Sequence, residues 1–460
     1  MKQKVGWAVG SITDNLMMNG LNLLVMPIYN IALGVNPVML GYALAIPRVM
    51  DTLIDPFIGN YSDNLRTRWG RRRPLIVLGA IIMAFFYALV WLPPSFLGHD
   101  GLFWYFLTTC FFLYIGYGIF IIPYMALGFE LTTDYHERTR VQAWRMIFAY
   151  AGGLLMPWLY KLTLLPAFGG NEVHGVRVVG PLIAIIGLLA SLTPALLCRE
   201  KAGVQGQPPI RLIQAFKYTL SNGPFLMLVG AIFLVMLATN LSTPFSLYLN
   251  IFYVCTGNKE FAAMLTGWSG TMQGLSGLLS APLISALGTR FSKKRVIICG
   301  QGLALAGYLV SWFLITPAHP YLQLIPAAMI FPGMACIWLL VGSLIADICD
   351  DDELKNNLRR EGMFGAVMMT IAKAGIALVT VVSGYMLVLS GYIEAPTQTP
   401  ATLQNMRLMY VFIPAALLGL SMLIMGCFPI TEQRAHEIRA LLEERQRSET
   451  AEPEPVSATV

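Results

Sequence analysis

Charge is scarce in this chain: Asp, Glu, Lys and Arg together make up 12% of 460 residues, about half the share of a soluble domain. That shortage excludes a solvated multidomain protein, and the net charge of +6 reports topology and not a nucleic-acid surface, because the basic residues sit in short clusters between apolar runs. Cysteine pairing is also missing. Cys110, Cys198, Cys255, Cys299, Cys336, Cys349 and Cys427 are odd in number and scattered singly, without CxxC or zinc spacing, so they read as small reduced packing residues. The five histidines fall in loops or the tail, His174 and His319 among them, which argues against a histidine proton relay. No P-loop, nucleophile elbow or HExxH is present, so nothing supports an ATPase or a membrane hydrolase.

Apolar runs of about 20 residues, by contrast, recur from end to end. In hydrocarbon each run must satisfy its own backbone hydrogen bonds, which makes it a helix. The runs predict twelve spans, near 6–33, 37–64, 74–97, 102–129, 141–160, 178–198, 224–252, 260–289, 296–316, 321–347, 362–391 and 408–428. The first run, starting near Val5, is too long for the apolar core of a signal peptide and is expected to stay as a span. A polar stretch from Arg199 to Gly223 separates six spans from six. The expected organisation is all-α: a six-helix bundle over 1–198, a linker over 199–223, a second bundle over 224–429 and a tail over 430–460. In the tail, Thr431 to Arg447 reads as a short amphipathic surface helix.

Basic residues set the orientation. Of the 31 Lys and Arg, only Lys161, Arg177, Lys259 and Arg407 fall in odd-numbered loops, and Arg48, Arg145 and Lys373 fall inside spans. The remainder sit in even-numbered loops, the linker and the termini, which places both termini in the cytoplasm of a plasma (inner) membrane protein. The loops after spans 2 and 8, Ser62–Arg73 and Gly288–Arg295, are both short and basic. Matched halves are how many secondary transporters build alternating access around a central site.

A charge deep in a span costs at least a few kcal/mol unless it faces a partner or a wet cavity. Asp51 and Asp55 are four apart on span 2, on one helix face and about one turn apart. Carboxylates so placed resist joint ionisation unless a proton or cation joins them. That is the geometry of a coupling site for H⁺ or Na⁺, unless Arg48 merely neutralises one of them. Lys373 in span 11 is too deep to snorkel out, and its expected partners are these aspartates or a nearby carbonyl. Asp14 and Arg145 sit alone on apolar helices and either hold sugar hydroxyls or form a buried ion pair. Tyr117, Trp338 and Asn240 are candidate cavity residues, since sugars stack on rings and need amide partners. The acidic run Asp350-Asp351-Asp352-Glu353 is expected in a solvated loop. With the basic residues after it, it forms an inner gate that includes Asp347, Arg359 and Glu361, with Arg48 gating from within span 2.

With Arg48-x-x-Asp51-x-x-x-Asp55-Pro56 followed by Arg68-Trp69-Gly70-Arg71, the chain resembles the glycoside–pentoside–hexuronide:cation symporters. These are the melibiose permease family of the major facilitator superfamily. Tyr117 with Ile122-Pro123, Val141-x-x-x-Arg145, Trp338 with Ala346-Asp347-Ile348, and Lys373 extend the resemblance over almost the whole chain. It implies two pseudo-symmetric six-helix bundles, a cation at Asp51 and Asp55 with Lys373 nearby, and sugar at Asp14 and Arg145. The chain departs from the melibiose-type pattern at Ile54, Gly118, Ile121 and Met125, where that pattern has an amide, a hydroxyl, a carboxylate and an aromatic. Losing these potential oxygen ligands favours H⁺ over Na⁺, because a hard metal cation needs several oxygens. The expectation is a sugar or glycoside symporter, neither an enzyme nor a cofactor protein, working as a monomer among membrane lipids. A carrier of lipid-like amphiphiles is the alternative that Ile121 and Met125 keep open.

Overall fold

The computed structural model describes residues 2–131, 135–198, 219, 221–356, 361–395 and 397–451. Regular structure among them is helical throughout. A composite rod, α1, covers 2–32. It is followed by α2 (Pro37–Asn64), α3 (Arg73–Val90), α4 (His99–Glu130), α5 (Tyr135–Leu155, continued by short turns to 163) and α6 (Glu172–Leu197). The second set is α7 (Gly223–Tyr248), α8 (Lys259–Arg290), α9 (Lys293–Leu314), α10 (Leu324–Asn356), α11 (Glu361–Leu389) and α12 (Pro400–Gly426), and a tail helix, α13, spans Glu432–Ala451. The linker expected over 199–223 lies almost wholly outside the described residues.

Among the described residues, nine helices are long and apolar enough to cross a membrane: α2, α3, α4, α6, α7, α9, α10, α11 and α12. The other three stretches are helical where spans are expected, and each has a local reason for its weaker signal. In α1 the helix widens to π geometry over Asp14–Asn19 and Met26–Ala32. The first turns of α5 are charged, and α8 is diluted by Gly267, Gly270, Gly274 and Gly277.

The two sets of six pack in the same way. In the first, α1 lies against α5 and α6, α2 against α4, and α3 against α4 and α6. In the second, α7 lies against α11 and α12, α8 against α10, and α9 against α10 and α12. The pairing thus repeats with a shift of six helices, and the contacts between the sets obey the same operation, α2 meeting α11 and α5 meeting α8. Local chemistry repeats too. The π-helical ends Met26–Ala32 and Leu249–Val254 each run into a turn with a positive-φ glycine, Gly34 or Gly257, and an Asn cap, Asn36 or Asn258. Arg73 donates to the carbonyl of Ala195 at the end of α6, and Lys294 donates to Gly426 at the end of α12, 2.6 Å away. In α3 and α4 the backbones approach so closely that a Cβ on Gly79 would lie 2.8 Å from the Gly116 oxygen, and one on Gly333 of α10 would lie 2.3 Å from the Gly300 oxygen of α9. Small residues allow such approaches where helices must pack without a hydrophobic driving force.

Two expected features differ. The acidic run is helical rather than a loop, because α10 continues past its apolar part to Asn356. Asp351 and Asp352 are buried rather than solvated. Packing against α13 explains this: Ile438 of the tail helix is fully buried and Ala435 joins the apolar cluster of the second set.

Candidate functional site

The antiparallel contact of α2 and α11 positions the charged cluster. A Cβ on Gly41 would lie 2.6 Å from the Thr380 oxygen, and one on Gly384 would lie 2.5 Å from the Pro37 oxygen. Glycines at both places let the two backbones touch. The same register carries Lys373 opposite Arg48, and the long lysine stem reaches one to two turns further. Its Nζ donates to Asp51 Oδ2 at 2.9 Å and to Asp55 Oδ2 at 2.5 Å. Asp51 is only 4% exposed, while Asp55 and Lys373 are half-buried.

Each carboxylate keeps its second oxygen unsatisfied: Asp51 Oδ1 and Asp55 Oδ1 are buried and have no hydrogen-bond partner. Both face Gly118 of α4, where a Cβ would lie 2.9 Å from Asp51 Oδ1 and 3.9 Å from Asp55 Oδ1. A buried, unpaired carboxylate oxygen is costly, and two converging on one gap are satisfied together by a proton or a cation. Arg48 forms no ion pair with either aspartate. Its guanidinium lies 5.4 Å from the centre of the Tyr114 ring, and its Nη1 is buried without a partner.

Tyr117, next to Gly118 on α4, donates its hydroxyl to Asp14 Oδ1 at 2.7 Å. Asp14 starts the π-helical segment of α1, a widening that recurs at functional positions in helices. Arg145 of α5 sits beside the same helix, its carbonyl accepting from Ser11 at 3.0 Å. No ion pair joins Asp14 to Arg145, so the buried-pair alternative does not hold. The guanidinium's side-chain contact is with Gln142 Oε1 at 3.5 Å. Asn240 of α7 donates to its own helix, to the Met236 carbonyl at 2.8 Å. Trp338 on α10 is 49% exposed. Ile121 is buried in the apolar cluster of the first set and Met125, half-buried, packs against it.

At the end of α10, on the side that carries the termini, Asp347 is 4% exposed and accepts from Lys293 at 2.6 Å and from Arg439 of α13 at 2.7 Å. Lys355 pairs with Asp351 at 2.6 Å. Arg359 lies outside the described residues, and Glu361 is the first residue of α11. Arg48, twelve residues from Asn36 at the other end of α2, is placed within the central cluster and not with these groups.

Sequence reading missed a pair of clasps on the side opposite the termini. Lys259 and Glu260, consecutive in the first turn of α8, pair with Glu172 of α6 (2.5 Å) and with Lys161 after α5. Together with the Trp158 to Thr271 hydrogen bond (3.0 Å) and the Tyr248 to Asn30 bond, they tie the two sets of helices together on that side. Charges of both signs in the odd-numbered loops were the available signal.

Comparison with known proteins agrees with this arrangement. The profile of the family described as "MFS/sugar transport protein" matches residues 6–432. The uncharacterized symporter YnaJ of Bacillus subtilis is 27% identical over 97% of this chain and 96% of its own. The glucuronide carrier protein homolog of Escherichia coli is 25% identical over 96% and 95%. A crystal structure of a D-xylose-proton symporter superposes with a TM-score of 0.66 at 16% identity, covering 93% of this chain and 96% of that one. The repeated six-helix packing is therefore the major facilitator fold, in an integral multi-pass membrane protein that is a transporter and not an enzyme. By its matched profile and its span 2 motif, the chain belongs to the MFS/sugar transport protein family, among the melibiose permease-like glycoside–pentoside–hexuronide:cation symporters.

Proposed function

We propose that this protein takes up a sugar or glycoside together with a proton, by alternating access, across a plasma (inner) membrane with both termini in the cytoplasm. The observation that carries the reading is the adjacency of Tyr117 and Gly118: one residue of α4 holds Asp14, and the next faces the free oxygens of Asp51 and Asp55. Occupancy of either site is thereby felt at the other within a single helical turn.

In the absence of a cation, Lys373 bridges the two aspartates, leaving one net negative charge between them, and holds α11 against α2. A proton arriving at the free Oδ1 atoms removes part of the negative charge that holds the ammonium, which loosens the contact between the two bundles. The proton is favoured over Na⁺ because the gap offers two carboxylate oxygens walled by Gly118 and Ile58, fewer than a metal cation of this hardness takes. Asp14 and Arg145, unpaired with each other, are left to hold sugar hydroxyls through charge-assisted hydrogen bonds.

Membrane vesicles test this with labelled methyl glycosides of glucose, galactose, xylose and glucuronic acid, with and without pH and Na⁺ gradients. The expected result is accumulation driven by the pH gradient, abolished in Asp55→Asn while downhill exchange persists. Uphill accumulation surviving in Asp55→Asn would overturn the coupling site.

A further inference from the structure

On the side opposite the termini, the turn that ends α1 brings a histidine of one bundle against a carboxylate of the other. Gly34 has a φ of 67° and donates its N–H to the Asn30 carbonyl at 2.9 Å. Asn30 is the residue to which Tyr248 of α7 bonds, so the turn already sits at a contact between the bundles. A Cβ on Gly34 would lie 2.9 Å from His99 Cε1, 3.5 Å from His99 Nδ1 and 3.3 Å from Glu394 Oε2. The imidazole and the carboxylate therefore lie over one glycine, at most about 6 Å apart, the sum of the first and last of those distances.

Both groups have fixed roots and free tips. His99 opens α4, and Glu394 sits in the connection between α11 and α12. That connection is pinned by Gln398, which accepts from the Ile393 N–H (3.2 Å) and donates to the carbonyls of Ile393 (2.8 Å) and Ala395 (3.2 Å). The side chains of His99 and Glu394 are exposed, and neither makes a hydrogen bond or ion pair with another described residue. Asp100 follows His99 in the first turn of α4. Other charges on this side are engaged elsewhere: Lys259 with Glu172, Lys161 with Glu260, Arg177 with the Pro93 carbonyl (3.1 Å), and Arg407 with the Tyr253 and Trp312 rings. Glu394 also faces the phenols of Tyr392 and Tyr248, which are uncharged at neutral pH.

Of the groups at this turn, the imidazole alone has a reference range that puts its change of charge between about pH 5 and 8. We propose that His99 and Glu394 form a proton-operated latch: an imidazolium at His99 draws Glu394 over the Gly34 turn and holds this side of the two bundles closed. The attraction is present below the imidazole range and is lost as pH rises through it. Gly34 leaves the path clear, because any side chain there would stand between the two groups. Acidity on this side then restrains reopening of the cleft, a brake separate from the coupling aspartates.

The test reads accessibility and needs no transported solute, so it fails or succeeds apart from the sugar reading. Asn19→Cys, at an exposed position in the middle of α1, is combined with Cys299→Ser and Cys427→Ser, which remove the exposed native thiols. It is alkylated by an impermeant maleimide from the side opposite the termini, at about pH 5.5 and about pH 7.5, on either side of the imidazole range. Each rate is divided by that of the same protein carrying His99→Gln at the same pH. The division removes the pH dependence of the thiol and any response owed to Asp51, Asp55, His174 or His319. The quotient is expected to fall about two- to fivefold on acidification, the scale of an exposed ion pair. His99→Lys should be slow at both pH values, and Glu394→Gln should match His99→Gln. Exchanging the pair, with His99→Glu and Glu394→His, should bring the acid response back. Both positions are exposed, and Glu394→Gln supplies the same comparison should a His99 variant be lost. A quotient that does not change with pH overturns the latch. So does a His99→Lys protein as fast as His99→Gln at the higher pH, or an exchanged pair without an acid response.

Discussion

Gly118 of α4 stands against Asp51 of α2 so closely that a methyl group in place of its hydrogen would lie 2.9 Å from the buried, unpartnered Oδ1. The glycine thus keeps open the gap on which both carboxylates converge. Gly118→Ala should fill it, with an overpacking penalty of about 1–3 kcal/mol. Gradient-driven accumulation is expected to fall about tenfold with counterflow exchange retained. Full accumulation in this variant would show that the gap is not where the cation loads.

Lys373 bridges both aspartates, and removing it strands them. Lys373→Ala should destabilise the protein by about 3–5 kcal/mol, the scale for an uncompensated buried charge. Adding Asp51→Asn to Lys373→Ala should restore most of the loss, because the more buried carboxylate is then neutral. Thermal unfolding in detergent reads this directly. A double variant no more stable than the single one would mean that Lys373 acts mainly through packing.

On the side opposite the termini, Lys259–Glu172 and Lys161–Glu260 hold the halves together with opposite polarity at neighbouring positions. The exposed Lys161–Glu260 pair contributes about 0.2–1 kcal/mol, whereas the Lys259 pair has its Glu172 carboxylate buried. Breaking both with Lys259→Glu and Glu260→Lys should raise the alkylation rate of Asn19→Cys, measured from that side, by several-fold. Adding the complementary Glu172→Lys and Lys161→Glu should reverse the gain. A rate indifferent to the swap would remove the clasps from the transport cycle.

The tail helix depends on Arg439, shared between Asp347 at 2.7 Å and Asp350 at 3.5 Å. Arg439→Gln should expose α13 to limited proteolysis while Asp347 keeps Lys293. Combining it with Lys293→Gln leaves Asp347 without either cation and should cost about 3–5 kcal/mol in unfolding free energy. Equal proteolysis of wild type and Arg439→Gln would show that apolar contacts such as Ile438 suffice to hold the helix.

Much of this architecture was legible in the chain. α2 was read as a span over 37–64 from its apolar run, and the structure has those bounds, with Asn36 capping the helix and Pro37 in its first turn. Asp51 and Asp55 stood out for the same reason in reverse, as charges where hydrocarbon penalises them. The acidic run at Asp350 was misread because local polarity predicts a loop, whereas helix α10 is extended by a tail more than eighty residues away in sequence. Ile121 is buried in the core whereas Met125 is half-buried against it: residue type does not say which way a helix face is turned.

Composition and run length by themselves determined the helical membrane class, because an apolar run of about 20 residues in hydrocarbon satisfies its own backbone groups as a helix, whereas barrel strands are about half that length. Spacing along single helices determined which carboxylates share a face. Only the tertiary structure decided that Lys373 bridges Asp51 and Asp55, that Asp14 meets Tyr117 and not Arg145, and that Gly118 faces the two free oxygens. Each of these pairs joins different helices, and for α2 and α11 the meeting is set by where Gly41 and Gly384 let the backbones approach, a relation between distant segments that no local pattern encodes.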